Sequence, residues 1–591
     1  MKRALALILA LVMAMALVAC GGDKPANTPS TPGSTPSSTP SITPSKPSEP
    51  TPGNPTTSTP AEKPAEDPDA WKYGGNLRIG TANAWTSFDP QQNASSGLGN
   101  QYTILHYAEN MAIKDINGKI YPQICDVEES ADGLTVKFTL RERYFSNGKK
   151  VTIEDVDASI RRAAALSTES GFKKVWDGTT YQVDGNTITL TAEKYNINML
   201  STLVAYNSAY RILPKEICDK YPVEGGEAHP SGMVMGGTAP KLDKVEDAIG
   251  SGPYKIQSWS ENEVVLARNE KYVSIPNADA VGVAKEAKCY VDTITFQLNK
   301  DAASRTAATM TGEYDVGSVT AEMQETAKTM GVKFLRSDDN WTHGIFFNLH
   351  ESNADSPIAD VNVRRAIRAC LDVDAIMLVT VKGDKSRLES YDPYPVVRES
   401  VAYATTKIED SGEWNIKDLD KAKAYLAQSN YKGEKIVYMV SAGSTFYNIA
   451  VVAIPNMEAI GLNIELKAVD SGSHSALRKD PTSGYDIGCW ETQKHMENPV
   501  LKSPIVSASQ GWWSSPARDA AYAAMNSAPT GSPESVAAYQ DYLDAVIDEC
   551  PYILFGSPVG QRAVRENVEL DIVGQINYYY WNCYFNDNNK K

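Results

Sequence analysis

Polar and apolar positions between 341 and 377 fall into three successive patterns. The short apolar run 345–349 predicts a strand, and a polar loop follows it. Val363, Ala366, Ile367, Cys370 and Leu371 then recur at i, i+3, i+4, i+7 and i+8, one buried stripe of a helix that Asp360 can N-cap. Asp372 restarts the pattern with Ala375, Ile376 and Met377, and Gly383 is placed to stop it.

Similar patterns organise the rest of the chain from Gly74 onward. A first strand is predicted over 76–80 and a helix through Ile104, Tyr107 and Met111. Asp132-Gly133 makes a turn, after which Val136, Phe138 and Leu140 alternate with Lys137, Thr139 and Arg141 as a half-buried strand. Asn147-Gly148 is a second turn, and Thr152 with Asp155 approximates a capping box for a helix with Val156, Ile160, Ala163 and Ala164 inward. Val183-Asp184-Gly185 with Ile188, Leu190 and Ala192 adds a hairpin, closed by a Met/Gly/His/Pro-rich loop over 224–238. Gly250-Ser251-Gly252-Pro253-Tyr254 reads as a tight turn into a strand, flanked by strands over 263–267 and 293–298.

Further on, a helix is expected over 418–431 with Ala422, Tyr425 and Leu426 inward, ended by Gly433. Strands over 437–443 and 463–467 bracket a helix through Met457 and Ile460, in which Pro455 should form a kink. Ser532-Pro533 opens a helix with Val536, Tyr539, Leu543, Val546 and Ile547 buried. Tyr578-Tyr579-Tyr580-Trp581, if a strand, would put half its rings in the core and leave the rest for a cleft or the surface.

The N-terminus reads as an address. Lys2 and Arg3 precede an apolar run over 4–18, too short to span a bilayer comfortably, and Leu17-Val18-Ala19-Cys20-Gly21 resembles a bacterial lipobox. Residues 1–19 are therefore expected to be a signal peptide, with Cys20 lipidated to hold a soluble body at the extracytoplasmic face of the membrane. Residues 20–70 are rich in Pro, Ser and Thr without periodicity, so they are expected to be a disordered tether.

Composition narrows the chemistry. The 591 residues suffice for several lobes with a ligand buried between them, and a net charge of −16 argues against nucleic acid, which needs clustered Lys and Arg. Apart from Cys20, seven cysteines remain at wide spacings with no C-x-x-C, indicating neither a disulfide framework nor a zinc site. The six histidines have no ligand spacing, and no G-x-S-x-G or P-loop is present. Ser170-Gly171-Phe172-Lys173 fits S-x-x-K but lacks an accompanying K-T-G. No cofactor, metal or catalytic residue is expected.

The succession over 121–160 carries a resemblance: Pro, an acidic turn with Gly-Leu, an alternating strand, Arg, an aromatic, Gly, then Thr before a Glu-Asp-Val helix. It resembles solute-binding protein family 5, the large extracytoplasmic receptors of peptide and related ABC importers. Phe88-Asp89-Pro90, the Gly-Ser-Gly-Pro-Tyr element, Gly312 to Val316, the 341–377 stretch and the helix after Asp418 extend the likeness over about 74 to 591.

The resemblance implies an α/β, two-lobed periplasmic-binding-protein-like fold, type II and of the large class with an extra subdomain, with a hinge between the lobes. Lobe I would comprise 71–110, 240–335 and 557–591, with 111–239 as an accessory subdomain and 336–556 as lobe II. Pro551 to Phe555 would return the chain to the first lobe. A ligand would lie between the lobes, with Ser95, Ser96 and Gly97 offering polar contacts or forming only a connector. The other wall would come from Trp490, Glu491, Thr492 and Gln493. In peptide-binding members the third residue after this Trp is an aspartate that pairs with the peptide ammonium. Gln493 stands there in this chain, and Glu491 is the nearest acid.

The expected function is capture of a peptide, or of an oligosaccharide, by a monomeric lipoprotein that delivers it to ABC permease subunits. A tethered cell-surface hydrolase is the alternative from another class, and would need a nucleophile–base pair.

Overall fold

The computed structural model describes residues 68–92, 98–115, 118–167, 173–205, 208–337, 341–388, 392–396, 402–493, 498–501, 511–571 and 579–586. They fall in one compact unit, Asp67–Lys591. Cys20 and the N-terminal stretch to 67 lie outside the described residues.

Two mixed sheets organise the unit. One has seven strands, in the order Tyr254–Trp259, Glu263–Arg268, Thr293–Leu298, Asn76–Thr81, Val316–Gly317, Gly560–Arg565, Val332–Ser337. The other has five: Asn463–Val469, Lys435–Ser441, Ile487–Gln493, Trp341–Phe347, Tyr552–Gly556. Only Glu263–Arg268 and Gly560–Arg565 run against the rest of the first sheet, and only Trp341–Phe347 runs against the rest of the second. A four-stranded antiparallel sheet, Cys125–Glu129, Thr135–Leu140, Thr187–Ala192, Thr179–Asp184, forms an accessory layer with its own core around Val136, Phe138, Ile160, Trp176 and Leu190.

Local chemistry accounts for the elements. Thr152 and Asp155 form a reciprocal capping box on helix Ile153–Ala165, whose Val156, Ile160, Ala163 and Ala164 are buried. The Asp360 side chain accepts from Asn362 N–H and starts helix Val361–Cys370, and Asp372 caps Val373–Thr380 through Ala375 N–H. The arginines of Val361–Cys370 also have a structural task. Arg364, Arg365 and Arg368 donate to the carbonyls of Glu549, Asp548 and Ile547, satisfying the open C-terminus of helix Pro533–Glu549. The Gly-Ser-Gly-Pro-Tyr turn is set by close approach: a Cβ on Gly250 would lie 2.0 Å from the Tyr107 carbonyl oxygen, and one on Gly252 2.5 Å from that of His106.

Several elements differ from the sequence expectation. The expected strand over 345–349 runs from Trp341 to Phe347, because buried Thr342 and His343 pair with Ile487–Gln493 although neither is apolar. Helix Leu98–Tyr107 ends before Met111, where Gly252 N–H bonds to the Tyr107 carbonyl. Helix Leu419–Leu426 stops short of Tyr431, because Asn430 N–H is drawn to the Asp360 carboxylate. Tyr552–Gly556 does not return to the first sheet: it is an edge strand of the second, and Gly560–Arg565 makes the return.

Tyr579, Tyr580 and Trp581 are not in a strand, and all three are buried in the core of the seven-stranded layer. Cys125, Cys218, Cys289, Cys370, Cys489, Cys550 and Cys583 are buried free thiols. Among the described residues, no helix is long and apolar enough to cross a membrane.

Candidate functional site

The two sheets meet edge to edge through a narrow ribbon. Val332–Ser337 pairs with Gly560–Arg565 in the first sheet, and Trp341–Phe347 with Tyr552–Gly556 in the second. The last pair on one side is Ser337 with Gly560; the first on the other is His343 with Gly556. The chain therefore passes from one sheet to the other twice, after Ser337 and after Gly556. Residues 338–340 lie outside the described residues. The second crossing is braced on the five-stranded layer, where Val559 N–H donates to the Arg387 carbonyl (2.8 Å) and Arg387 Nε to that of Val559 (2.6 Å).

Strand direction then locates the crevice. In the first sheet Asn76–Thr81, Thr293–Leu298, Val316–Gly317 and Val332–Ser337 all end at the edge facing the crossings. In the second, Lys435–Ser441, Asn463–Val469, Ile487–Gln493 and Tyr552–Gly556 do the same. The second sheet also has a topological switch. From Lys435–Ser441 the chain passes through helix Thr445–Ala459 to a neighbour on one side, then returns to Ile487–Gln493 on the other. The carboxyl ends of strands at such a switch are where open α/β sheets bind ligands.

Two segments lie at that switch. One is 441–446, where Gly443 takes φ +66° and Ser444 caps the helix by accepting from Tyr447 N–H. Sequence reasoning passed over it, although Ser-Ala-Gly-Ser between a strand and a helix was a usable signal. The other is the end of Ile487–Gln493. Its register sets Trp490, Glu491, Thr492 and Gln493 opposite Gly344, His343, Thr342 and Trp341, the first residues after a crossing. All four expected residues are thus at the crevice edge of the second sheet. Ser95, Ser96 and Gly97 lie outside the described residues, as does Ser170 of the S-x-x-K match. Gly488, two residues ahead of Trp490, makes room for the Phe346 ring, which would lie 2.4 Å from an added Cβ.

His343 was not singled out by the sequence. It is 7% exposed, and Nε2 lies 3.5 Å from Glu491 Oε2. Burial, aided by the nearby Arg387 charge, pushes its pKa down to about 4, so the ring is neutral near pH 7. Nδ1 has no hydrogen-bond partner among the described residues. Phe446 packs edge-on against His343 at 6.4 Å between centroids and faces His474 at 6.1 Å. The buried Nε2 of His474 is likewise unpartnered among the described residues. This corner offers neutral ring nitrogens, one carboxylate and an aromatic face, a set suited to hydrogen bonding. Among the described residues, no group of three or more His, Cys, Asp or Glu is placed to hold a metal.

Within the seven-stranded layer, Phe88-Asp89-Pro90 is a joint. Asp89 is fully buried and receives Arg162 Nη2 at 2.6 Å and Nη1 at 3.2 Å, while Gln91 Oε1 takes Arg162 Nη1 at 2.7 Å. Gln91 Nε2 donates in turn to the carbonyls of Ser159 and Arg211. The accessory layer is thereby fixed to the seven-stranded layer by a buried charged network.

Comparison with known proteins follows the same lines. The model of the bacterial extracellular solute-binding proteins, family 5 Middle, matches residues 119–532. The oligopeptide-binding protein AppA of Bacillus subtilis is 22% identical over 432 residues, 64% of this chain and 69% of AppA. The ABC transporter substrate-binding protein CtaP of Listeria monocytogenes matches with a TM-score of 0.70 at 18% identity, over 87% of this chain and 100% of CtaP. The periplasmic binding protein DppA of Helicobacter pylori, solved with the peptide STSA, matches with a TM-score of 0.65 at 17% identity, over 87% and 99% of the two chains. At such identities the likeness is one of fold: two α/β lobes with a hinge between them.

Proposed function

Because this chain belongs to the bacterial extracellular solute-binding proteins, family 5, we propose that it captures a peptide between its two lobes and presents it to the permease of an ABC importer. The observation that carries this reading is the pair of carboxyl-end strand edges between which the chain passes only twice, after Ser337 and after Gly556. Such a joint lets two layers change their angle, and ligand contacts made by both lobes favour the closed arrangement. No covalent step is needed.

Lobe I is proposed as 71–110, 240–335 and 557–591, with 111–239 as the accessory subdomain and 336–556 as lobe II. Trp490, Glu491, Thr492 and Gln493 are proposed as the ligand wall of lobe II, with Ser95, Ser96 and Gly97 facing them from lobe I. A wall of residues that can donate and accept hydrogen bonds suits the amides of a peptide, and bridging water can accommodate varied side chains. Cys20 is proposed to carry the lipid, with the segment to residue 70 as tether to the extracytoplasmic membrane face.

Native mass spectrometry of the gently purified protein tests the reading. A retained peptide at one copy per chain, released intact on denaturation, is expected. Hydrolysis of that peptide by the protein would overturn it in favour of an enzyme. Intact-mass analysis of membrane-extracted protein checks the anchor, with a diacyl or triacyl adduct expected on wild type and lost in Cys20→Ala.

A further inference from the structure

The accessory layer touches both of its neighbours, and the second contact is unlike the first. Tyr195 stands between strand Thr187–Ala192 and helix Ile197–Leu203, with its ring against the 132–134 turn: a Cβ on Gly133 would lie 2.9 Å from Tyr195 Cε2. Across from it is the loop joining helices Pro516–Ser527 and Pro533–Glu549 of the five-stranded layer. Thr530 N–H donates to the Tyr195 hydroxyl at 3.2 Å, and the two hydroxyls share a second hydrogen bond at 3.2 Å. Asn498 Nδ2 donates to Thr530 Oγ1 at 3.0 Å, and Gly531 N–H to the Tyr403 hydroxyl at 2.9 Å, which together hold the loop in place. Ile197, two residues beyond Tyr195, is buried in the five-stranded layer's cluster with Tyr394, Val396 and Tyr403.

Position gives this contact its meaning. Helix Pro533–Glu549 leads into Tyr552–Gly556, whose last residue is at the crossings, so the helix runs back from that edge. Its 17 residues span about 25 Å at 1.5 Å per residue, which brings its N-terminus and the Thr530 loop to the crevice side of the five-stranded layer. Because Arg162 and Asp89 fix the accessory layer to the seven-stranded one, Tyr195 reaches across the crevice from that body.

We propose that the Tyr195–Thr530 contact is a reversible clasp that closes the crevice opposite the covalent crossings, giving the accessory subdomain a part in ligand retention. This rests on the capture reading above. The polar part of the clasp consists of hydroxyls and a backbone amide with Thr530 exposed, so water can replace each bond when it opens, and the apolar surface uncovered with it is that of Ile197. The crossings hold the lobes together permanently, and the clasp sets how long they stay shut.

Hydrogen–deuterium exchange at the Thr530 amide is a direct readout, since that N–H is the clasp donor. In ligand-free wild type its exchange is expected to be far faster than global unfolding allows. Tyr195→Phe is expected to speed it a further three- to tenfold, roughly the worth of one or two hydrogen bonds. Thr530→Ser, which keeps the hydroxyl, should match wild type. Adding the peptide STSA at millimolar concentration, or the peptide recovered with the purified protein, should slow Thr530 exchange in wild type and less so in Tyr195→Phe. If Thr530 were as protected as the core in ligand-free protein, or indifferent to Tyr195→Phe, the clasp would be overturned. Exchange that responds to the variants but to no peptide would leave the clasp standing and count against the capture reading alone.

Discussion

The accessory layer joins one neighbour through buried charge and the other through hydroxyls at the surface with one buried side chain, Ile197, beside them. At the first joint Asp89, Gln91 and Arg162 are sealed from water, and every opening would expose a guanidinium–carboxylate pair whose geometry is already satisfied. At the second, Tyr195 is half-buried and Thr530 exposed, and their bonds can be exchanged for bonds to water at small cost. The contrast separates a permanent joint from a reversible contact. It also fits the proposal that three layers of one chain move as two bodies.

The largest expected effect comes from breaking the permanent joint. Asp89→Ala leaves Arg162 buried without its carboxylate and should cost about 3–5 kcal/mol in denaturant unfolding. Replacing both partners with apolar residues of similar size should recover most of that loss. A double variant as unstable as the single would mean that the joint depends on more than the pair.

Acid should divide the two regions as well. His106 lies within the seven-stranded layer, with Nδ1 2.6 Å from the Tyr102 carbonyl and Nε2 accepting from Tyr580 N–H at 3.0 Å, so the proton sits on Nδ1. Burial, with a contribution from the Arg211 charge, pushes its pKa down to about 3. Above pH 6.5 the ring is neutral in folded and unfolded chains alike. Between pH 6.5 and 3 the unfolded chain binds a proton that the folded ring refuses, so stability falls by about 1.4 kcal/mol per pH unit, roughly 2 kcal/mol by pH 5. Unfolding at pH 7 and pH 5 checks this, and His106→Asn should flatten that part of the slope. The clasp contains no carboxylate or imidazole, so Thr530 amide protection, corrected for intrinsic exchange, should be unchanged over the same range.

The smallest expected effect is on the reversible side. Thr530→Val removes one of the two bonds to Tyr195 and keeps the amide, so peptide release in stopped flow should quicken by about two- to fourfold. The variant also removes the acceptor of Asn498 Nδ2, so unfolding of the ligand-free protein should lie within about 1.5 kcal/mol of wild type.

The difference between the joints also marks what could be read from the sequence. Local chemistry was legible: the Asp360, Asp372 and Ser532 caps, the Thr152–Asp155 box and the alternation of Val136 and Phe138 all depend on residues a few positions apart. Family likeness carried the two-lobed fold. The pairing of Asp89 with Arg162 and of Tyr195 with Thr530 spans 73 and 335 residues, and no periodicity reports such partners. Polar strand ends were missed for a related reason. Thr342 and His343 look solvent-facing by composition, yet sheet pairing buries them, and the Tyr552–Gly556 strand differs from a returning strand only in its partner. The candidate wall over 490–493 was found by likeness, whereas His343 and the 441–446 segment needed the strand order.

Small-angle scattering of the folded body, with and without the peptide recovered from the purified protein, reads the closing of the lobes itself. A smaller radius of gyration is expected on saturation in wild type, with the ligand-free profile described by a mixture of open and closed forms. A profile unchanged by a peptide that calorimetry shows to be bound would contradict it.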